Sequence, residues 1–374
     1  NDEEFNSSLI AGSVPEGEED MGYLAADAGV EPYYVREMSR ELSPKDAVSL
    51  VKVYREMLRV RPDVIHPHTA KAGTIGRVAA LAYKYLTVGT LIGRPRKIRI
   101  VHTFHGHVFH SYYGPAKTKF FILIERMLAK FATDRIITIT QQQFREINQE
   151  HKVGRSDQFE IIPLGIDLGL FQEAVPGPQA FRSEADVADT ELLVGFVGRL
   201  TEIKNLSMFL RVAKLVSEES VDVPPRIRFI IVGDGHLRDS LELEAAELQL
   251  GDTVIFVGNR NDIANVYAGL DIVALTSRNE GTPLSLIEAM ASGKPVISTR
   301  VGGVSDLLGE TRTSIEGFDI CERGIAVPSG SEEIFAKGLL YLAKDEKEEL
   351  LLELFPAVAA NYLKRERQAE WKAM

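Results

Sequence analysis

Cysteine, surplus positive charge and long apolar runs are all scarce in this sequence. The single cysteine, Cys321, excludes an intrachain disulfide and fits a reducing compartment. Acidic residues outnumber basic ones by 54 to 43, which argues against a nucleic-acid partner because phosphate binding needs excess Lys and Arg. No apolar run approaches the roughly 18–20 residues of a membrane helix, and no signal peptide is recognisable. We therefore expect a cytoplasmic protein whose contact with a membrane, if any, is peripheral and at the inner face.

The C-terminal half alternates short apolar runs with helical patterns. The apolar runs have the length of strands and lie at 192–199, 227–235, 253–258, 271–277, 295–300 and 324–328. Helical spacing occurs near 206–216, 237–250, 262–269, 283–292 and 331–344. Continuous apolar strands alternating with helices predict an α/β domain with a parallel sheet covered on both faces. Right-handed crossovers make such a domain Rossmann-like.

The N-terminal half repeats this rhythm, so the 374 residues predict two domains of one fold type. Its strand-like runs lie at 6–13, 31–35, 63–68, 98–106, 135–140 and 159–165, with helices near 43–60, 73–86, 117–131 and 141–150. The Gly- and Pro-bearing segment 175–190 is interpreted as a linker between domains 1–174 and 191–345, with a helical tail over 346–374. A doubly wound domain usually opens with a strand, a Gly-bearing turn and a helix. We expect this first unit to be missing here.

Two loops of the C-terminal half suit a diphosphate. Open α/β sheets bind ligands at the carboxyl ends of their strands. In GFVGRLTEIKN, Gly198 allows a tight turn, and Arg199 and Lys204 flank a helix start whose free N–H groups and dipole attract anions. Two solvated cations at a helix start explain the same residues equally well. The second loop brings four backbone N–H groups towards phosphate oxygens, those of Gly281, Thr282, Leu284 and Ser285.

The second loop also carries two acids separated by seven residues, Glu280 and Glu288. Pro283 suits the first turn of the helix between them. That helix is mostly apolar, so Glu288 is expected to be buried, and a buried acid is unusual unless it is paired or functional. A carboxylate suits vicinal hydroxyls such as those of ribose, because both of its oxygens accept hydrogen bonds. A third loop, VGDGHLRD, resembles a dinucleotide fingerprint, but Arg238 occupies the third glycine position, which disfavours a nicotinamide site.

Six of the eight histidines cluster at the ends of two predicted N-terminal strands. They are His66, His68, His102, His105, His107 and His110. Alternate strand residues face opposite sides, and no acid or cysteine joins them within 98–110, so a zinc site is the lesser hypothesis. Polar contact with a sugar or phosphate, chiefly by His105, is preferred, and for at least half of the six a role as helix or turn caps is expected.

The ordered motifs resemble family 4 of the retaining glycosyltransferases over nearly the whole chain. In the C-terminal half the resemblance lies in GRLTEIKN, IIVGDGHLRDSL and VIFVGNRNDIANVYAGLDIVALTSRNEGTPLSLIEAMASGKPVISTRVGG. In the N-terminal half it lies in EEDMGYLAADAGVEP, SRELSPKDAV, DVIHPHTAKAGTIGRVAA, VHTFHGHVF, ERMLAKFATDRIITIT and IIPLGIDL. The subgroup is typical of bacterial cell-surface polysaccharide enzymes. The resemblance implies a GT-B fold: two facing Rossmann-like domains, the first on the acceptor side and the second on the donor side of a cleft.

The family pattern also implies roles for individual residues. Glu288 would hold the ribose hydroxyls, Glu280 would lie near the donor sugar, and Arg199 with Lys204 would bind the donor diphosphate. His105 would approach the donor sugar from the N-terminal domain, and the backbone around Gly281–Leu284 would meet sugar and phosphate. The implied donor is a nucleoside-diphosphate sugar, which is a substrate, with no cofactor and no metal.

Several further interpretations stay open. A nucleotide-sugar epimerase shares this fold, and a binding-only fragment would fit the missing first unit; a nicotinamide dehydrogenase is the remote choice. The acceptor would be a sugar or a lipid-linked molecule. RPRKIR (94–99) and KTKFFILIERMLAK (117–130) could touch an anionic bilayer, although for 117–130 a core helix with a solvated face is preferred.

Overall fold

The computed structural model describes residues 5–13, 22–38, 43–105, 115–165, 169–172, 178–219 and 225–343. It divides into two compact units, Asn1–Ile162 and Pro163–Met374. The predicted tail 346–374, together with His107 and His110, lies outside the described residues. Within the described ranges no helix combines the length and apolar character needed to cross a membrane.

The first unit contains two groups of parallel strands. They are β1 (Ile10–Gly12), β2 (Tyr33–Val35), β3 (Val64–Ile65), β4 (Arg99–Phe104), β5 (Arg135–Thr138) and β6 (Phe159–Ile161). β1 pairs with β2, and β3 to β6 form a four-stranded parallel sheet in chain order. Each strand lies within one of the predicted apolar runs and is shorter than that run.

The helices of the first unit are α1 (Gly22–Asp27), α2 (Asp46–Val60), α3 (Ala70–Tyr85), α4 (Val88–Leu91), α5 (Pro115–Phe131) and α6 (Gln141–Phe144). A π-helical stretch, Arg145–Glu150, continues α6. A buried ion pair joins α3 to α5: Arg77 Nη2 donates to both carboxylate oxygens of Glu125 at 2.7 Å. The core-helix expectation for 117–130 is confirmed by the buried Leu128 and Ala129. The exposed face mixes the cations Lys119, Arg126 and Lys130 with large apolar side chains.

The second unit is built on an eight-stranded sheet. Its strands are β7 (Leu192–Val197), β8 (Ile227–Val232), β9 (Val254–Gly258), β10 (Ile272–Leu275), β11 (Val296–Thr299), β12 (Thr311–Ile315), β13 (Phe318–Cys321) and β14 (Gly324–Val327). The spatial order is β12-β13-β14-β11-β10-β7-β8-β9, and the six strands from β14 to β9 are parallel. With β7 counted as the first parallel strand, this is the doubly wound order 3-2-1-4-5-6. The order reverses between β7 and β10, and the loops that follow those strands meet there.

The helices of the second unit are α7 (Gly169–Gln172), α8 (Pro178–Glu184), α9 (Leu206–Glu219), α10 (Arg238–Glu247), α11 (Ile263–Gly269), α12 (Leu284–Ala291), α13 (Val304–Leu308) and α14 (Glu332–Leu342). One continuous hydrophobic core holds them to the sheet. The antiparallel hairpin β12–β13 at the sheet edge was not predicted. Its outer strand, TRTSI, is mostly exposed and has no apolar period that would mark a strand.

The division between the units differs from the predicted linker. The chain divides after Ile162, whereas the sequence placed the linker at 175–190. Within that segment α8 is folded and belongs to the second unit, where Phe181 is buried in the core. Arg182 Nη1 donates to Asp271 Oδ2 at 2.9 Å. Gly and Pro composition predicted a linker, but the apolar Phe181 and the paired Arg182 dock the segment onto the sheet instead.

Candidate functional site

The loop that follows β7 is held in place by the end of β10. A single helical turn, Glu202–Lys204, ends at Asn205 in the left-handed conformation, with φ 51° and ψ 48°. Thr276 Oγ1 donates to the backbone oxygens of Lys204 and Asn205, at 3.1 and 3.2 Å. Because Thr276 follows β10 directly, the two neighbouring strands fix the path of the Lys204 backbone. Nothing in the apolar run around Thr276 indicates this role.

Lys204 and Glu280, 76 residues apart in the chain, form an ion pair at the switch point of the sheet. Lys204 Nζ lies 2.6 Å from Glu280 Oε1, and Ser277 Oγ donates to the same oxygen at 2.5 Å. Gly303 N donates to the Glu280 backbone oxygen at 3.1 Å, which ties this loop to the segment after β11. The structure therefore joins a predicted phosphate-binding cation to a predicted sugar-side acid. Ser277 is an addition that sequence reasoning missed.

Helix α12 begins at Leu284, one residue after the expected position of Pro283 in its first turn. Pro283 precedes the helix with φ −74° and ψ 100°, an extended conformation. Gly281 and Thr282 lead into it, and the Thr282 hydroxyl is buried without a hydrogen-bond partner. The first N–H groups of a helix have no partner within the helix, so this start adds directed donors and a positive dipole end beside Lys204. The combination suits an anionic group.

Glu288, in the second turn of α12, is half-buried and paired. Tyr267 Oη donates to Glu288 Oε2 at 2.8 Å, and Tyr267 is fully buried on α11. Burial raises the pKa of Glu288, while the hydrogen bond from Tyr267 opposes that rise. The expectation that an acid in this apolar helix is paired or functional is met by a partner that the sequence did not identify. A carboxylate held in this way can accept hydrogen bonds from hydroxyl groups on its other oxygen.

Gly198 and Arg199 leave β7 beside the glycines of the third loop. Gly198 has φ 153°, and the exposed Arg199 follows it. A Cβ on Gly233, where φ is 130°, would lie 2.0 Å from the backbone oxygen of Gly198. A Cβ on Gly235 would lie 2.4 Å from the backbone oxygen of Leu200. These glycines therefore allow two loops to pack closely.

In the first unit, three histidines meet where β3 and β4 end. His68 Nδ1 and His105 Nε2 are 2.7 Å apart, and the rings of His66 and His68 lie 4.3 Å apart between centroids. His66 Nε2 also lies 2.7 Å from Thr103 Oγ1. Burial, followed by the neighbouring histidines, lowers the pKa of His66 to about 4, and burial also lowers the pKa of His68 and His105. The cluster is therefore neutral near pH 7.

The buried His102 supports the loop that carries this cluster. Its Nδ1 lies 3.0 Å from the backbone oxygen of Pro67, between His66 and His68. This contact agrees with the expectation that part of the histidine group is structural. Across the described ranges, no three His, Cys, Asp or Glu side chains are arranged to hold a metal ion. The partnership of His68 with His105 was missed because it depends on strand register, and the role of His105 towards a donor sugar stays a prediction.

Comparison with known proteins identifies the class to which this fold and these loops belong. The model for glycosyl transferases group 1 matches residues 179–353, and the model for glycosyltransferase family 4 matches residues 5–170. The crystal structure of Anabaena HepE in complex with UDP-glucose aligns with a TM-score of 0.71 at 20% identity, over 98% of this chain and 92% of that one. The expected GT-B fold, α/β with parallel sheets, is confirmed.

Curated relatives then identify the family. The chain is 30% identical over 297 residues to the Escherichia coli UDP-Gal:alpha-D-GlcNAc-diphosphoundecaprenol alpha-1,3-galactosyltransferase, covering 78% of this chain and 71% of the relative. It is 31% identical over 141 residues to the putative glycosyltransferase EpsF of Bacillus subtilis, over 38% of this chain and 36% of that protein. The chain belongs to the group 1, family 4 glycosyltransferases.

Proposed function

We propose that this protein transfers a sugar from a nucleoside-diphosphate sugar to an acceptor hydroxyl, with retention at the anomeric carbon and without a metal ion. The observation that carries the proposal is the Lys204–Glu280 pair, 2.6 Å apart at the switch point where doubly wound sheets bind ligands. Glu280 lies just before the start of α12, and Glu288 lies in that helix. A cation, a helix N-terminus and two carboxylates together match a diphosphate, a sugar and a ribose.

In this proposal Arg199 and Lys204 stabilise the nucleoside diphosphate as it leaves. Negative charge grows on the β-phosphate in the transition state, so contacts from fixed cations strengthen there and lower the barrier. The backbone of Gly281–Leu284 and the dipole of α12 act in the same direction. These groups supply the positive charge that a metal ion would otherwise bring. Glu288 accepts hydrogen bonds from the ribose hydroxyls, and Glu280 and His105 contact the donor sugar.

We propose a uridine nucleotide as donor and a lipid-linked acceptor on the polysaccharide or glycolipid route. The names of the relatives support this choice: one is a UDP-Gal-dependent enzyme acting on a diphosphoundecaprenol, and the aligned HepE structure contains UDP-glucose. The positive charge of the site binds phosphate groups and does not discriminate between nucleobases. The test therefore starts from a panel of UDP, GDP and ADP. Stabilisation by each diphosphate grows with its concentration relative to its dissociation constant.

The test is donor turnover by Lys204→Met and Glu288→Ala, with release of the nucleoside diphosphate as the readout. Lys204→Met is expected to lose about 10²- to 10³-fold in kcat/KM, the size seen when one charge-stabilising donor is removed. Glu288→Ala is expected to lose about 10- to 150-fold, the cost of a hydrogen bond to a charged acceptor. Lys214→Met is the matched control, because Lys214 on α9 has a 33% exposed side chain whose ion pair, at 3.3 Å, is with the neighbouring Glu218 of the same helix. Rates within twofold of the unaltered protein for both site variants would remove the assignment.

A nucleotide-sugar epimerase of the same fold is the alternative, and its products differ. An epimerase returns a nucleotide sugar with inverted configuration at one carbon and needs no acceptor. A transferase releases the nucleoside diphosphate and forms a new glycosidic bond. Incubation with a labelled donor and a lipid-linked sugar acceptor separates the two, and a donor that binds without any product would indicate a binding-only protein.

Peripheral contact of the first unit with an anionic membrane is a further part of the proposal. On α4, Val88 and Leu91 are 80% and 86% exposed, and the exposed Arg94 and Lys97 follow the helix. Along α5 the outward face is more than half exposed at its large apolar positions, which are Phe120, Leu123, Met127 and Phe131. Apolar side chains flanked by cations suit an anionic lipid surface, although the chain as a whole is acidic.

Vesicle flotation tests this contact. The protein is expected to float with vesicles containing phosphatidylglycerol and to stay in the dense layer with neutral phosphatidylcholine. Val88→Ser/Leu91→Ser should reduce flotation, whereas Leu243→Ser should not. Leu243 is a matched control because it is 62% exposed on α10 of the second unit. Equal flotation of the two variants would contradict a docking role for the α4 surface.

A further inference from the structure

The Tyr267 hydroxyl forms a hydrogen bond with one carboxylate oxygen of Glu288. The tyrosine lies on α11, 21 residues before the acid, and its hydroxyl donates to Glu288 Oε2 at 2.8 Å. Its ring is fully buried and meets Phe171 edge-on, with 5.7 Å between centroids. Tyr267 therefore has a fixed ring position, and its hydroxyl is directed at a carboxylate that is itself only half-buried.

The hydrogen bond restricts the terminal torsion of the Glu288 side chain, which sets the orientation of its carboxylate plane. The terminal torsion of a glutamate is broad and roughly two-fold, so an unpaired carboxylate samples many orientations of its plane. A pair of vicinal hydroxyls needs that plane in one orientation, and fixing it in advance removes an entropy cost from ligand binding. A phenylalanine at position 267 would fill the same core space, so packing alone does not require the hydroxyl.

We infer that Tyr267 is a positioning residue that fixes the carboxylate of Glu288 for a ribose diol. This inference rests on the proposed function, in which Glu288 contacts the ribose of the donor nucleotide. Burial, together with the neighbouring Glu288, raises the pKa of Tyr267 well above its ordinary value, so the hydroxyl remains a donor throughout the physiological range. The tyrosine need not touch the ligand for its removal to weaken recognition of ribose.

Calorimetric binding of UDP, GDP and ADP, each beside its 2′,3′-dideoxy counterpart, tests the inference. With Tyr267→Phe, the ribonucleotide that binds best is expected to bind about 10- to 150-fold more weakly, the cost of one hydrogen bond to a charged group. Its dideoxy counterpart should change less than twofold, because it has no diol to present. Equal weakening of both, or of neither, overturns the inference.

Glu288→Ala separates this inference from the proposed function. If Glu288 holds the diol, that variant loses the preference for ribose altogether. Should Glu288→Ala keep the preference, or should no diphosphate bind at all, the proposed role of Glu288 fails and the inference fails with it. If Tyr267→Phe keeps the preference for ribose while Glu288→Ala loses it, the inference fails and the proposed role of Glu288 stands.

Measuring the preference for ribose at a series of pH values adds a second test, because a purely structural role of Tyr267 would not change the pH midpoint of that preference. The Tyr267 hydroxyl lowers the pKa of Glu288, so its loss should shift the midpoint of the ribose preference to higher pH. Glu288→Gln serves as the reference, because it cannot ionise and keeps a side chain of the same length. An unchanged midpoint in a folded Tyr267→Phe protein would also overturn the inference.

Discussion

Removing the positive charge of Lys204 should destabilise the second unit before any substrate is considered. Its side chain is 21% exposed and that of Glu280 only 9%, so Lys204→Met leaves a largely buried carboxylate without its cation. Breaking a fully buried pair from one side costs about 3–5 kcal/mol. Partial exposure of the lysine and the retained bond from Ser277 reduce this to about 2–3 kcal/mol. For a domain of this size the loss corresponds to roughly 4–12 °C in Tm.

Thermal unfolding followed by circular dichroism measures this loss, and a double-mutant cycle assigns it to the pair. Lys204→Met/Glu280→Gln should recover most of the stability, because no charge is then left unpaired. The control Lys214→Met removes a cation whose side chain is 33% exposed and should change stability by less than about 0.5 kcal/mol. The reasoning is refuted if the two single effects simply add in the double variant, within about 0.5 kcal/mol.

Three further predictions concern other parts of the chain. Gly233→Ala should lower Tm strongly, because φ is 130° and its Cβ would meet a backbone oxygen at 2.0 Å, whereas Gly251→Ala, with nothing within 4 Å, should be neutral. Arg77→Met should cost about 3–5 kcal/mol in denaturant unfolding, and pairing it with Glu125→Leu should restore most of that stability; no restoration would contradict a buried ion pair. Nucleoside diphosphate binding should weaken as pH falls through the pKa of Glu288, which burial raises, because the protonated acid accepts fewer hydrogen bonds. Glu288→Gln should lack that component, and identical pH profiles would count against it.

The parallel sheet of the second unit was predictable because its strands are buried on both faces. Runs such as those of β7 and β8 consist of Val, Ile, Leu and Phe except for Gly195 and Arg228, and glycine follows where several of them end. The hairpin β12–β13 carries no such signal, since its outer strand is polar and exposed. Likewise α8 lies in a stretch whose Gly and Pro content indicates a loop, and tertiary packing of Phe181 overrides that local preference.

In the candidate site, the residues that would contact a ligand were predictable from the sequence, and the residues that support them were not. Lys204, Glu280 and Glu288 are charged residues near helix starts, and charge at a strand end is visible in a sequence. The supporting residues Tyr267, Ser277 and Thr276 lie in or beside apolar runs and look like ordinary core positions. Their roles depend on which strands are neighbours, and strand order is a property of the assembled sheet.

Because the Lys204–Glu280 pair joins segments from both halves of the sheet, the site can form only late in the synthesis of the chain. A nascent chain that has emerged only as far as α11 has β7, β8 and β9 available, yet it lacks β10 and the acid that follows it. Nucleotide binding would therefore report that both halves of the sheet have joined, and a chain cut between α11 and β10 should regain it only when the two pieces reassociate.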